Sequence, residues 1–408
     1  MRTDNPLVSI VIPVYNGSNY LAQAIDSALG QTYPNCEVLV VNDGSDDGGA
    51  TAELALGYGE KIRYFEKENG GVATALNLGI RQMRGEYFAW LSHDDLYKPE
   101  KIELQVKAAL DSGDRTRLVQ SEYEFYHMPT GSRTPTNLFQ LYGEEQLCRS
   151  FFSVLWLQYH ACGTLIHRSH FTRAGLFDES IQTVQDIDLW FRILRDQKLV
   201  FVPQVLHSVR EHAQANSNTA ACYHAETRAL YWRLIQALDW EEMDRVFGSA
   251  STFLCRMAGF LKSYGGGLEL EQMKRLLAQL PDTAPTGTEA SLEALSGGRK
   301  IAIFGAGQYG LRIKFELECR GIHPACFVDN APSKWGTVID GIPCIRMEQA
   351  AEQKEELFMV IAQRTLTPAL EQVQSLQLPY FTTKQSLEAK LLHIPPAMQQ
   401  REEWLSLL

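Results

Sequence analysis

No two of the eight cysteines (Cys36, Cys148, Cys162, Cys222, Cys255, Cys319, Cys326, Cys344) form a Cys-x-x-Cys pair or stand at a spacing that suggests metal ligation. They read as reduced thiols of a cytosolic protein, and at 408 residues the chain is too long for a disulfide-held miniprotein. Positive charge is also in short supply: 38 Lys and Arg face 49 Asp and Glu, a formal net charge of -11. That balance excludes broad nucleic-acid binding through a basic surface, because phosphate neutralisation needs clustered cations. Long apolar runs are missing too. The opening MRTDNPLVSIVIPVYN is interrupted by Pro13, Asn16 and Gly17, so no secretion signal is expected. The longest near-uncharged stretch, 151–166, carries Gln158, His160 and Gly163 and is expected to be a buried segment or groove wall rather than a membrane span. Internal repeats and long charge runs are absent from the sequence. What remains is an ordinary globular composition, 45 % hydrophobic and 21 % charged, and at roughly 150 residues per domain a length for two or three domains.

The first hundred residues alternate strand and helix signals. Apolar runs at 7–14 and 38–41, each ended by turn residues, read as buried parallel strands. Between them Leu21, Ala24, Ile25, Ala28 and Leu29 make one helix face, with Ser18 or Asn19 available as a cap. A second helix face runs Val72, Ala75, Leu76, Gly79, Ile80 and Met83, and a strand at 87–91 leads into Ser92-His93-Asp94-Asp95. This alternation predicts an α/β doubly wound sheet with its ligand site at the carboxyl ends of the strands. A short strand is expected at 199–202, helices throughout 220–280, and a Pro, Thr, Ser and Gly-rich linker at 281–298, after which strand and helix alternate again. The expected division is 1–219, 220–298 and 299–408.

Acidic groups fall at strand ends and helix starts: Asp43, Asp94, Asp95 and Asp186. Carboxylates gathered at one sheet edge repel unless a cation sits among them. Oxygen ligands of this kind suit Mg²⁺ or Mn²⁺ holding a diphosphate. Five segments, SIVIPVYN, NDGSDD at 42–47, ENGGVATALNLGI at 68–80, GEYFAWLSHDD at 85–95 and QDIDLWFRI at 185–193, together resemble glycosyltransferase family 2 over residues 6–215. The resemblance implies a GT-A fold, a nucleotide-diphosphate-sugar donor and inversion by single displacement. It places Pro13, Tyr15, Asn16 and Asp43 around the nucleoside, with Asn69, Gly70 and Asn77 near the donor; Asp43 could equally build its Asp-Gly turn. It makes Asp94 the ligand of a metal bridging the phosphates, joined by Asp95 and by His212, while Ser92 stands where the family usually has a carboxylate. Asp186 maps onto the base that takes the acceptor proton, and its helix N-terminal place is expected to keep it ionised at neutral pH. Asp188 is expected to pair with Arg192 four residues on. Arg210 would offset phosphate charge, and Trp190 and Gly163 would lie on the acceptor side.

Beyond residue 298, RKIAIFGAGQYGLRIKFEL sets Gly305, Gly307 and Gly310 in G-x-G-x-x-G spacing after a strand, and Asp329 ends the next strand. With FVDNAPSKWG and DGIPC the segment 299–363 resembles the Rossmann-like N-terminal domain of bacterial sugar O-acyltransferases, which implies a nucleotide or dinucleotide site at those four residues. The leading expectation is an inverting glycosyltransferase that uses a UDP-sugar on a surface-glycan or lipid-linked glycan acceptor, cytoplasmic and at the inner membrane face if peripheral. Two other readings stay open at this point: a sugar-nucleotide oxidoreductase or regulator acting through the second domain, and a non-catalytic nucleotide- or glycan-binding protein.

Overall fold

The computed structural model describes residues 5–157, 159–212, 221–280, 296–363, 366–398 and 401–408. They divide into two compact units, Met1–Glu226 and Thr227–Leu408. The first opens with β1 (Val8–Val14), α1 (Leu21–Leu29), β2 (Cys36–Asn42), α2 (Ala50–Leu56), β3 (Arg63–Glu66), α3 (Val72–Gln82) and β4 (Tyr87–Trp90). These strands lie parallel in the order β3-β2-β1-β4. Every residue of β1 is buried, as a strand covered by helices on both faces requires. α1 turns Leu21, Ala24, Ile25 and Ala28 inward. Its expected cap is absent: Tyr20 precedes the helix without a side-chain bond, and the Gly17 carbonyl accepts the Tyr20 and Leu21 N–H groups at 3.1 and 3.0 Å.

The sheet continues with β5 (Leu96–Tyr97), α4 (Lys101–Asp111), β6 (Val119–His127), β7 (Ser132–Pro135), α5 (Leu138–Leu147), α6 (Phe152–Leu157), β8 (Thr164–His167), α7 (Ser169–Arg173), α8 (Gln185–Leu194) and β9 (Val200–Glu211). Among the described residues its order is β3-β2-β1-β4-β8-β6-β9-β5, with β7 beside β6. β9 corrects the expectation of a short strand followed by a loop. The register against β6 slips between Ser121 and Tyr123, so Pro203 and Gln204 bulge out and the strand resumes to Glu211. That extension carries Arg210 to the sheet edge where β4 ends. The described residues of 151–166 are buried, apart from half-buried Leu157 and His160, and among the described residues no helix is long and apolar enough to cross a membrane.

The second unit holds α9 (Tyr223–Gln236), α10 (Trp240–Phe247), α11 (Ala250–Ser263) and α12 (Gly267–Ala278), then β10 (Lys300–Phe304), α13 (Gln308–Glu318), β11 (Cys326–Val328), β12 (Val338–Ile339), β13 (Ile342–Ile345), α14 (Met347–Glu352), β14 (Leu357–Ile361), α15 (Leu366–Ser375), β15 (Phe381–Thr383) and α16 (Lys384–Leu391). Residues 281–295 of the expected linker lie outside the described residues. The sheet order β12-β13-β11-β10-β14-β15 places its first parallel strand, β10, at the centre with windings to either side, a doubly wound arrangement. Helices of 227–280 share this unit with the sheet: Gly259 of α11 lies where a Cβ would meet the Phe315 ring of α13 at 3.0 Å.

The glycine loop after β10 needs its glycines. Gly305 has φ +116, and a Cβ on Gly310 would sit 1.8 Å from the Gly305 carbonyl oxygen. Gly310→Ala should therefore push α13 off the strand and destabilise the second unit by about 3 kcal/mol. Thermal denaturation followed by limited proteolysis checks it; an unchanged melting temperature would show that the loop tolerates a side chain.

Candidate active site

The carboxyl ends of β1, β2 and β4 meet at one edge, and the sequence-predicted residues gather there in two sets. At β1 and β2, Tyr15 and Asn16 bond to Asp46 through Oη at 3.2 Å and Nδ2 at 2.6 Å, and the Asn16 amide N–H donates to Ser45 Oγ at 2.9 Å. Pro13 is buried at the strand end. Asp43 is also buried, and its carboxylate accepts from the Gly70 and Gly71 N–H groups at 3.1 and 2.7 Å and from Lys67 Nζ at 2.6 Å. It thus ties the exposed Asn69-Gly70 loop to the strand end. Asn77 is committed elsewhere: it donates to the Phe177 carbonyl at 3.0 Å and to Glu179 at 2.8 Å, holding the 177–179 turn from within the fold.

The second set follows β4. Asp94 Oδ2 lies 2.9 Å from His212 Nε2, 118 residues away in sequence. Burial works against the Asp94 anion, but the His212 bond and the neighbouring imidazoles hold its carboxyl below the usual range. Asp95 goes the other way: burial and the adjacent Asp94 charge push it well up. Arg210 is buried. Its guanidinium donates to the Asp94 carbonyl at 3.0 Å and to Gln23, and its backbone N–H donates to Asp95 Oδ1 at 3.0 Å. Arg210, expected as a phosphate contact, also fixes the Asp94-Asp95 backbone. A carboxylate and an imidazole meeting at a partly open strand end fit a divalent cation, with the nitrogen favouring Mn²⁺ over Mg²⁺.

Asp186 opens α8, half-buried. Burial raises its carboxyl to about 6 against the opposing pull of the Ile187 and Asp186 backbone N–H groups. The helix N-terminus acts in the expected direction but is the smaller influence, so the acid is mostly, not wholly, ionised at pH 7. Asp188 accepts from Arg192 at 2.7 Å, the expected i,i+4 pair. Trp190 is not an open sugar platform: it is 2 % exposed and packed against Trp90 and Phe177. Gly163 is likewise fully buried, its carbonyl accepting from Gln105 Nε2 at 2.7 Å and its Cα against the His207 ring.

Sequence reasoning missed the cluster behind Asp95. Cys162 Sγ is 3.5 Å and His160 Nε2 is 3.6 Å from Asp95 Oδ2, and the three ligand atoms lie within 4.8 Å of one another. Ser92, the departure from the expected carboxylate, turns both its N–H and its Oγ to Cys162 Sγ at 3.3 Å. The Tyr159 hydroxyl of the same turn is buried, and burial pushes its ionisation far up. The one available signal was a run of polar types, Tyr-His-x-Cys, inside an otherwise apolar segment.

In the second unit the Asp329 carboxylate is already committed. It accepts from the Ala306 and Ala331 N–H groups at 2.8 and 2.9 Å and from Lys334 Nζ at 2.9 Å. An acid so filled does not fit the ribose-reading role that a dinucleotide site requires, and no redox step is derived through this loop.

This is a GT-A-like α/β domain with an acidic, histidine-bearing strand edge and a desolvated acid at the start of α8. Residues 9–172 match the model of Glycosyl transferase family 2. An uncharacterized glycosyltransferase of Rickettsia typhi is 46 % identical over 264 residues, 65 % of this chain and 82 % of that protein. Another, of Rickettsia bellii, is 44 % identical over 271 residues, but the chain spans only 38 % of its length. The chondroitin synthase of Pasteurella multocida is 30 % identical over 52 % of this chain and 21 % of that enzyme. Among solved structures, S. aureus TarS 1-349 in complex with UDP-GlcNAc superposes with a TM-score of 0.53 at 18 % identity, covering 68 % of this chain and 82 % of that one. The chain belongs to glycosyltransferase family 2.

Proposed function

We propose that the first unit transfers a sugar from a nucleotide-diphosphate donor, a UDP-sugar before others, to a hydroxyl of a surface-glycan acceptor with inversion at the anomeric carbon. The observation that carries this is the meeting of Asp94 with His212, 118 residues apart in sequence, at the strand edge, together with a desolvated Asp186 at the start of α8. The synthase relatives and the UDP-GlcNAc complex of TarS support the substrate classes. Tyr15, Asn16 and the Asp43-held Asn69-Gly70 loop line the nucleoside end. Asp94 and His212 would hold Mn²⁺ or Mg²⁺, which supplies positive charge for the departing diphosphate. The Asp186 carboxylate takes the proton of the acceptor hydroxyl; its oxygen forms the bond to the anomeric carbon from the face opposite the diphosphate, and the carbon–oxygen bond to the diphosphate breaks. Arg210 keeps Asp94 in place throughout.

Turnover of a panel of UDP-, GDP- and dTDP-sugars, read as released nucleotide with and without Mn²⁺, tests the reading. One donor is expected to be cleaved metal-dependently, and Asp94→Asn should lower kcat/KM about 100-fold and abolish the response to Mn²⁺. Nucleotide binding without turnover of any donor in the presence of glycan acceptors, or an Asp94→Asn variant that behaves as wild type, would sink it.

A further inference from the structure

We propose that Asp95, His160 and Cys162 bind a thiophilic divalent cation of the Zn²⁺ class, at a site separate from the Asp94-His212 pair. The three groups come from two loops that meet behind the strand edge. Asp95 follows β4, while His160 and Cys162 sit in the turn before β8. Asp95 Oδ1 is taken by the Arg210 N–H, which leaves Oδ2 as a single oxygen facing the sulfur at 3.5 Å and the imidazole nitrogen at 3.6 Å. Tetrahedral Zn²⁺, with bonds of about 2.0 Å to oxygen and nitrogen and about 2.3 Å to sulfur, sets its ligand atoms about 3.3–3.6 Å apart. The two edges to Asp95 Oδ2 have that size and the sulfur and nitrogen lie within 4.8 Å of each other; 3.5 Å also suits an S–H hydrogen bond from Cys162 to Asp95, whereas 3.6 Å is too long for a hydrogen bond between His160 and Asp95.

Ser92 is the second observation. Its N–H donates to Cys162 Sγ at 3.3 Å and its Oγ lies at the same distance, contacts that orient the sulfur as a ligand. The residue that departs from the acidic pattern of the donor-side motif thus has a task in this cluster. A sulfur, a nitrogen and one oxygen form a donor set that selects Zn²⁺ over Mg²⁺. His160 is 31 % exposed at its side chain, which gives the ion a way in and leaves a fourth position for water. The ion would pin the turn 160–163, and with it the Gly163 carbonyl, to the aspartate pair. The inference stands on these contacts alone and does not depend on the transferase reading.

Full-length protein loaded with equimolar Zn²⁺ and desalted should keep about one Zn per chain by elemental analysis. Cys162→Ala and His160→Ala should each lower that content at least about tenfold, while His212→Ala keeps it. Cobalt-loaded wild type should show a near-ultraviolet thiolate-to-metal band, a readout that needs no variant to fold. A wild type that retains almost no Zn²⁺, a cobalt protein without the thiolate band, or retention unaffected by both Cys162→Ala and His160→Ala would each overturn the site.

Discussion

Asp186→Asn should lower turnover about 1000-fold while leaving donor affinity close to wild type, because it removes the proposed proton acceptor and not a donor contact. The size follows from where the acid sits. Burial lifts its carboxyl to about 6, which makes the anion a stronger base than a solvated aspartate yet keeps it mostly unprotonated at neutral pH. Activity of the wild type should accordingly rise with pH through about 6 and then level, and the residual activity of the variant should lack that limb. Stability should move in the opposite sense. A carboxyl whose folded value lies above its unfolded one stabilises the protein fully only below the unfolded value, and this is lost as pH rises through the folded value near 6. The neutral Asn keeps what the ionised Asp gives up, so at pH 7 the variant should be more stable, by about 1 kcal/mol once solvent access is allowed for. Steady-state kinetics from pH 5 to 8 with parallel thermal melts measure both. An unchanged kcat would remove Asp186 from the chemistry.

The parts of this fold that show in the sequence are those whose burial is periodic. β1 and β2 are apolar runs, and α1 and α3 carry unbroken inward faces, so strand and helix follow from spacing. β3 is an edge strand reading Arg-Tyr-Phe-Glu that buries little, and β9 is broken in the sequence by Pro203, which only the bulge against β6 reconciles with a single strand. The site divides in the same way. Asp94 and His212, both named by motif, meet at the strand edge, and Asp186 opens its helix at the expected place. Trp190 and Asn77 could not be placed by motif, since an aromatic or amide in a motif says nothing of whether it faces a groove or the core, and here both are consumed by packing. Arg210 shows the same ambiguity for a charge: its long-range partners, Gln23 and the Asp94 carbonyl, do not show in the sequence. The Asp95-His160-Cys162 cluster is invisible to spacing because its members are 65 or more residues apart across two loops, apart from the pair His160 and Cys162.

Arg256→Ala should cost the second unit about 3–5 kcal/mol, the range for removing one partner from a buried ion set. Arg256 of α11 reaches Glu316 of α13 and Glu388 of α16, each at 3.3 Å, with all three side chains 5 % exposed or less. Arg312 binds both acids from the other direction, and Arg320 caps the carbonyls of Glu316 and Leu391. Burial raises the Glu316 carboxyl, whereas Glu388, though equally buried, is held low by Arg256, Arg312 and Lys384. Without Arg256 two carboxylates share the remaining cations in a dry interior, and the cheapest relief is proton uptake or unfolding. The signs give a second readout. An acid held below its unfolded value stabilises above that value and loses the effect as pH falls, so Glu388 contributes at neutral pH and progressively less below about 4. Arg256→Ala should flatten that acid limb of stability as well as lower the plateau. Denaturant unfolding of wild type and variant between pH 3 and 7 decides it. A single variant as stable as wild type would mean that water reaches these groups and that the helices of 227–280 are held to the sheet by apolar packing alone.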